Sequence, residues 1–191
     1  PRLWDRNHTA ASSGWARIGG LKMLYESTLG IIGMGEIGRE LALRARPFGM
    51  RMLYYQRMQL SAEDEALYGV EYASLPSLLG ASDWVSVQLP HTPSTENLLG
   101  REQLAQMKPG AVLINTSRPL IINREAVLEA LQSGHLGGFA LDTPYELPGR
   151  ADDPFLSFDN VFLTPWTAAQ PRFNALNDLR DMISGIAAAL N

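Results

Sequence analysis

Gly33-Met34-Gly35-Glu36-Ile37-Gly38 carries the spacing G-x-G-x-x-G, and the chemistry it offers belongs to the main chain rather than to side chains. Gly33 permits a tight turn, and Gly35 lets a diphosphate approach the backbone. Gly38 allows a helix to lie close on a strand, while Glu36 and Ile37 open that helix and turn its amino end toward the phosphates. Glycines also punctuate ordinary turns, so the spacing alone carries little weight. Its context adds more: "TLGIIG" before it reads as a buried strand, and Ile37, Leu41, Ala45 and Phe48 after it recur at helical spacing. The expectation is a dinucleotide site.

In such sites an acidic residue about 20 positions further on binds the adenine ribose hydroxyls and rejects a 2′-phosphate. Gln56 holds that place here, followed by Arg57. A neutral acceptor beside a cation removes the repulsion and offers a phosphate partner. This favours NADP, or no strong choice between NADP and NAD.

Other chemistries are narrowed by composition. The 191 residues contain no cysteine, which excludes disulfides, thiolate metal sites and thiol nucleophiles. A net charge of -4 without a basic stripe argues against a nucleic-acid partner. No apolar run approaches membrane-spanning length and "PRLWDRNHTA" has no signal pattern, so a soluble cytoplasmic protein is expected. The three histidines read as structural: His8 in an unassigned arm, His91 at the cofactor edge toward the adenosine end, and His135 bonding carbonyls at a helix end.

The elements that must position the glycine loop alternate along the chain. "MRMLYYQ", "DWVSVQLP", "AVLINTS", "GGFALD" and "NVFLTP" read as strands. Between them, "SLPSLLGAS" reads as a helix starting at Ser74, "REQLAQM" as a short helix, and "NREAVLEALQSG" as a helix with Asn123 as N-cap and Gly134 past its end. Strands that are apolar throughout and alternate with helices predict an α/β fold, a doubly wound, Rossmann-like parallel sheet covered on both faces. Residues 1–20 form an arm or linker remnant, 21–170 the dinucleotide-binding domain, and 171–191 a last helix with Leu176, Leu179, Ile183, Ile186 and Leu190 on one face. That stripe packs on its own domain or pairs with a second chain, and a homodimer is expected.

From about Trp15 onward the chain resembles the cofactor-binding domain of the D-isomer-specific 2-hydroxyacid dehydrogenases. Besides the glycine loop, the similar stretches are "VSVQLPHTPSTENLL", "MKPGAVLINTSR", "EALQSGHLGGFALD" and "NVFLTP". The resemblance implies NAD or NADP as cofactor and hydride exchange with a small 2-hydroxy or 2-oxo acid. It also implies that the substrate domain, built mostly from residues that precede this domain in a full-length chain, is largely absent. Arg118 matches the arginine that holds the substrate carboxylate and keto oxygen. Thr116 and Ser117 would lie along the cofactor, Leu89 and Pro90 under its adenosine side, and Asp142 at the nicotinamide amide.

Three positions depart from the family pattern. Pro119 stands where glycine usually follows the arginine, fixing φ and removing a donor, so this loop is not expected to superpose. Leu147 stands where the family has an acid or amide before a proline, with Glu146 one residue early. Trp166 stands where the resemblance implies the proton-donating histidine, and indole has no usable acidity near neutrality. Two readings follow: an oxidoreductase domain whose proton comes from water, Glu146 or another domain, and a catalytically impaired dinucleotide-binding module. A non-functional fragment is the third.

Overall fold

In the computed structural model, residues 22–146, 149–167, 180 and 183 are described. They form a parallel seven-stranded sheet: β1 (Thr28–Ile32), β2 (Arg51–Tyr55), β3 (Glu71–Tyr72), β4 (Trp84–Val87), β5 (Ala111–Asn115), β6 (Leu136–Leu141) and β7 (Val161–Leu163). The spatial order is β3-β2-β1-β4-β5-β6-β7. The chain winds outward from β1 through β2 to β3, then returns to β1's other side and winds the opposite way from β4. That reversal leaves a crevice beyond the carboxyl ends of β1 and β4, where such sheets bind ligands.

The helices are α1 (Glu36–Ala45), α2 (Ala62–Tyr68), α3 (Leu75–Ala81), α4 (Arg101–Ala105) and α5 (Arg124–Gln132). Alternate residues of β1 feed two cores. Leu29 and Ile31 pack with Ala42, Ala45, Met52 and Tyr54 on the α1 face. Ile32 joins Leu78, Leu79, Val85 and Val87 on the other. Burying each such side chain contributes about 1.5–3 kcal/mol before entropy is charged against it. Both faces are therefore buried at the centre of the sheet, where β1, β2 and β4 lack the in-out alternation of a half-exposed sheet.

Local signals set the helix ends. The Ser74 and Asn123 side chains accept from the N–H groups of Ser77 and Ala126, and Gly134 takes φ 73° after α5. The helix α2 and the short β3 lie in a polar stretch that carries no apolar pattern of its own. The ends of α2 are set by Ser61, which caps it through Asp64 N–H, and by Gly69 at φ 66°.

The helical spacing of Ile37, Leu41 and Ala45 marks α1, but the face turned to the sheet is only partly these residues. The buried residues are Gly38, Ala42 and Ala45, while Ile37 is 66% exposed and Phe48 lies in a 3₁₀ turn after the helix. The smallest side chains bring the helix axis nearest the strands. Among the described residues no helix is long and apolar enough to cross a membrane. The N-terminal arm with His8, and the stripe from Leu176 to Leu190 apart from the exposed Ile183, lie outside the described residues.

Candidate functional site

The turn from β1 into α1 is fixed by contacts only glycine can make. Gly33 sits at φ 103°, and a Cβ there would meet the Gln88 carbonyl oxygen at 2.5 Å. A Cβ on Gly38 would meet the Gly33 carbonyl oxygen at 2.1 Å, so α1 leans directly on the turn. Gly35 differs: it has φ -70°, and nothing lies within 4 Å of where its Cβ would be. It therefore faces open space. Arg39 N–H, which donates to the Gly35 carbonyl (3.0 Å), starts the helical ladder. The N–H groups before it have no carbonyl one turn back, and no side chain caps them. An uncapped amino end on an open surface suits a diphosphate.

Above this turn lies a cleft of ≈ 470 Å³ lined by Gly33, Met34 and Gly35, by Tyr55 to Met58 after β2, and by Gln88, Leu89 and Pro90 after β4. Thus Gln56, Arg57, Leu89 and Pro90 are brought together with the glycine loop. Gln56 is not a passive neighbour: its Oε1 accepts from Met34 N–H (3.2 Å) and its Nε2 donates to the Met58 carbonyl (2.6 Å). It ties the glycine turn to the end of β2. Tyr54 braces the same segment from below, donating to Glu65 (2.7 Å) and accepting from Leu60 N–H (2.8 Å). Burial, helped by the bond to Glu65, pushes its hydroxyl up to about 12, so it stays a donor at any ordinary pH.

Glu36 and Ile37 are exposed on the first turn of α1. Ile37 and Thr116 line a separate, mostly apolar groove with Leu41 and Gln88, and Gln88 donates to Thr116 Oγ1 (3.0 Å). Gln88 therefore borders both this groove and the glycine cleft.

A second cleft, of ≈ 380 Å³, is lined by His91, Arg118, Pro119, Leu120, Thr143, Pro144, Tyr145 and Trp166. Arg118 follows β5 in extended conformation, as the residue before a proline must. Its carbonyl is held by Asn115 Nδ2 (2.9 Å). Pro119 is buried and begins a 3₁₀ turn, Pro119–Ile121, where a missing N–H costs nothing. The proline is thus absorbed locally and leaves the guanidinium exposed in the cleft.

Asp142 is buried at the end of β6 and orders the opposite wall. Its Oδ1 accepts from Thr164 Oγ1 (2.5 Å) and Thr167 N–H (2.9 Å), and its carbonyl accepts from Trp166 N–H (2.7 Å). This holds Trp166 at φ 55°, a left-handed conformation that costs a bulky residue about 1–2 kcal/mol. Trp166 is 42% exposed and lines the same cleft as Arg118. Thr143 adds a buried hydroxyl oxygen with no hydrogen-bond partner among the described residues.

Two histidines are placed by the structure. His135 Nε2 lies 3.0 Å from the Leu104 carbonyl, a structural bond, though to α4 rather than its own helix. His91 corrects an expectation: it lines the Arg118 cleft and not the glycine cleft. Glu146 faces Arg150 (3.9 Å) and does not line the Arg118 cleft, and Leu147 lies outside the described residues.

Comparison with known proteins agrees with this geometry. A family model described as "D-isomer specific 2-hydroxyacid dehydrogenase, NAD binding domain" matches residues 3–168, starting earlier than the Trp15 at which the resemblance becomes readable. A glyoxylate reductase of Korarchaeum cryptofilum is 44% identical over 146 residues, covering 76% of this chain and 44% of that protein. A D-3-phosphoglycerate dehydrogenase of Synechocystis is 34% identical over 194 residues, covering 96% of this chain and 34% of its own length. Among solved structures, a glyoxylate reductase from Paecilomyes thermophila superposes with TM-score 0.75 at 36% identity, over 86% of this chain and 50% of that one. The chain thus spans half or less of the length of these relatives.

Gly35 and Gly33 separate binding from folding. Gly35→Ala is expected to keep the urea midpoint and to weaken NADH binding roughly tenfold, about 1.4 kcal/mol. Gly33→Ala should lower unfolding free energy by more than about 1 kcal/mol through its positive φ. Equal NADH affinity in Gly35→Ala and the parent chain would contradict the assignment.

Proposed function

The chain belongs to the D-isomer specific 2-hydroxyacid dehydrogenase family through its NAD binding domain, and on that premise we propose that it binds a nicotinamide dinucleotide across its two clefts for reduction of a small 2-oxo acid. The observation that carries this is their shared rim. Leu89 and Pro90 line the cleft over the glycine turn, and the next residue, His91, lines the cleft that holds Arg118. A dinucleotide whose diphosphate rests on the amino end of α1 has its adenosine half toward Gln56 and Arg57 and its nicotinamide half toward Arg118.

The bound cofactor supplies the hydride. The chain supplies the rest. Backbone N–H groups of the first turn of α1 bind the diphosphate, and the apolar walls at Leu89 and Pro90 cover the base. Arg118 offers a planar fork that grips a carboxylate through charge-assisted bonds and cannot lose its proton. A carboxylate held there presents its neighbouring keto carbon to the cleft. Glyoxylate and hydroxypyruvate are the substrates proposed, the first because a relative named glyoxylate reductase is 44% identical to this chain over 146 residues.

The cofactor proposed is NADP in preference to NAD. Gln56 spends its side chain on the glycine turn and brings no negative charge, while Arg57 lines the same cleft. Fluorescence titration tests this: Arg57→Ala should weaken NADPH about tenfold and leave NADH within twofold. Equal losses for both would refute the preference.

Arg118→Leu tests the activity itself. Oxidation of NADPH or NADH by glyoxylate should fall in kcat/KM by ~10²-fold or more, with cofactor affinity kept, because a desolvated charged contact is lost. Unchanged kcat/KM would remove Arg118 from the substrate site. Cofactor binding without turnover of any 2-oxo acid would leave a binding module.

A further inference from the structure

Reduction of a 2-oxo acid needs a proton as well as a hydride, and Trp166 cannot give one. The other groups lining the Arg118 cleft narrow the choice. Arg118 holds its protons throughout. Tyr145 donates its hydroxyl to the Ile122 carbonyl (3.1 Å), and burial pushes that hydroxyl above its ordinary value. Thr143, Pro119, Leu120 and Pro144 have no usable acid. His91 is what is left, the one imidazole among the residues lining this cleft.

His91 also has a counter-charge. Its Nε2 lies 3.6 Å from Glu96 Oε2, an ion pair when the ring is protonated, and the two side chains are 32% and 51% exposed. The pair is produced by one turn of chain. Thr95 and Glu96 N–H both donate to the Thr92 carbonyl (3.0 Å each), and Thr95 Oγ1 donates to the Pro90 carbonyl (2.7 Å) and accepts from Thr92 N–H (2.8 Å). This folds Glu96 back over His91.

The turn is then fastened to the segment that follows Arg118. Asn97 N–H donates to the Leu120 carbonyl (2.8 Å), Leu99 N–H to Ile121 (3.1 Å), and Asn123 N–H to Leu99 (3.0 Å). Asn97 takes φ 51° to make the first of these bonds. The loop carrying His91 and Glu96 and the loop carrying Arg118 are therefore one braced unit.

Resting on the proposed oxidoreductase reading, we infer that His91 is the proton donor of this site, positioned by Glu96, so that the acid absent from position 166 is supplied from the loop after β4. The carbonyl carbon of a substrate held by Arg118 takes the hydride, and its π electron pair moves onto oxygen. That oxygen takes the proton from the imidazolium. With Nε2 turned to Glu96, Nδ1 is the nitrogen that delivers it. The ring is left neutral and regains a proton from solvent, to which it is open. The charged or titratable groups beside it are Glu96, its ion-pair partner, and Arg118 and Tyr145, which line the same cleft.

Calorimetry of the full chain tests this without turnover. The chain is loaded with NADH and titrated with oxamate, an uncharged-nitrogen mimic of a 2-oxo acid, in buffers of different ionisation heat above the imidazole range. Uptake of about one proton per oxamate bound is expected, and its loss in His91→Asn with NADH affinity kept. Glu96→Gln should reduce the uptake, which a merely structural role would not do. No uptake, equal uptake in His91→Asn, or no oxamate binding to the NADH-loaded chain would overturn the assignment while leaving cofactor binding intact. Failure to bind NADH would instead overturn the functional reading beneath it, and the assignment with it.

Discussion

A side chain at Gly33 would meet the Gln88 carbonyl at 2.5 Å, and one at Gly38 would meet the Gly33 carbonyl at 2.1 Å. Strand, turn and helix are therefore packed backbone against backbone, and that closeness sets the rest of the site. It aims the amino end of α1 at the crevice beside β4 and leaves Gly35 as the exposed point of the turn. It also places the segment after β4 directly over the loop. Gln56 closes the arrangement by bonding Met34 N–H from the end of β2, so three strand ends meet around one small space.

Beyond that space the clefts divide the work between main chain and side chains. The glycine cleft offers N–H groups and apolar cover, which suits a large ligand with a fixed diphosphate. The Arg118 cleft offers charge and titratable chemistry, which suits a small anion. Leu89-Pro90-His91 runs along their boundary, so one short stretch contributes to both. Trp166, whose backbone N–H donates to the Asp142 carbonyl at a strained φ of 55°, forms a wall of the small cleft rather than a reactive group.

Much of this was legible in the sequence because it depends on local signals. The buried strands are apolar runs, Asn123 and Gly134 bound α5 by side-chain acceptance and positive φ, and the glycine spacing marks the turn. What stayed hidden depends on packing or on distant contacts. The buried side of α1 is made of Gly38, Ala42 and Ala45, whose small size, not their hydrophobicity, decides which face approaches the sheet. Pro119 removes a backbone donor, and the 3₁₀ turn that it opens, which accommodates this, is not readable from its type alone. The place of His91 follows from hydrogen bonds between residues 97–99 and 120–123, a relation no sequence spacing reveals. Helix α2 was readable from Ser61 and Gly69, but its polar composition concealed it.

The account stands on a diphosphate being held by the amino end of α1. Following backbone amide resonances of the chain during titration with NADH tests that most directly. The largest shifts should fall on Gly35, Glu36, Ile37 and Gly38, with smaller ones at Gln56 and Leu89. Saturable shifts confined to other parts of the sheet, or none at millimolar NADH, would contradict it.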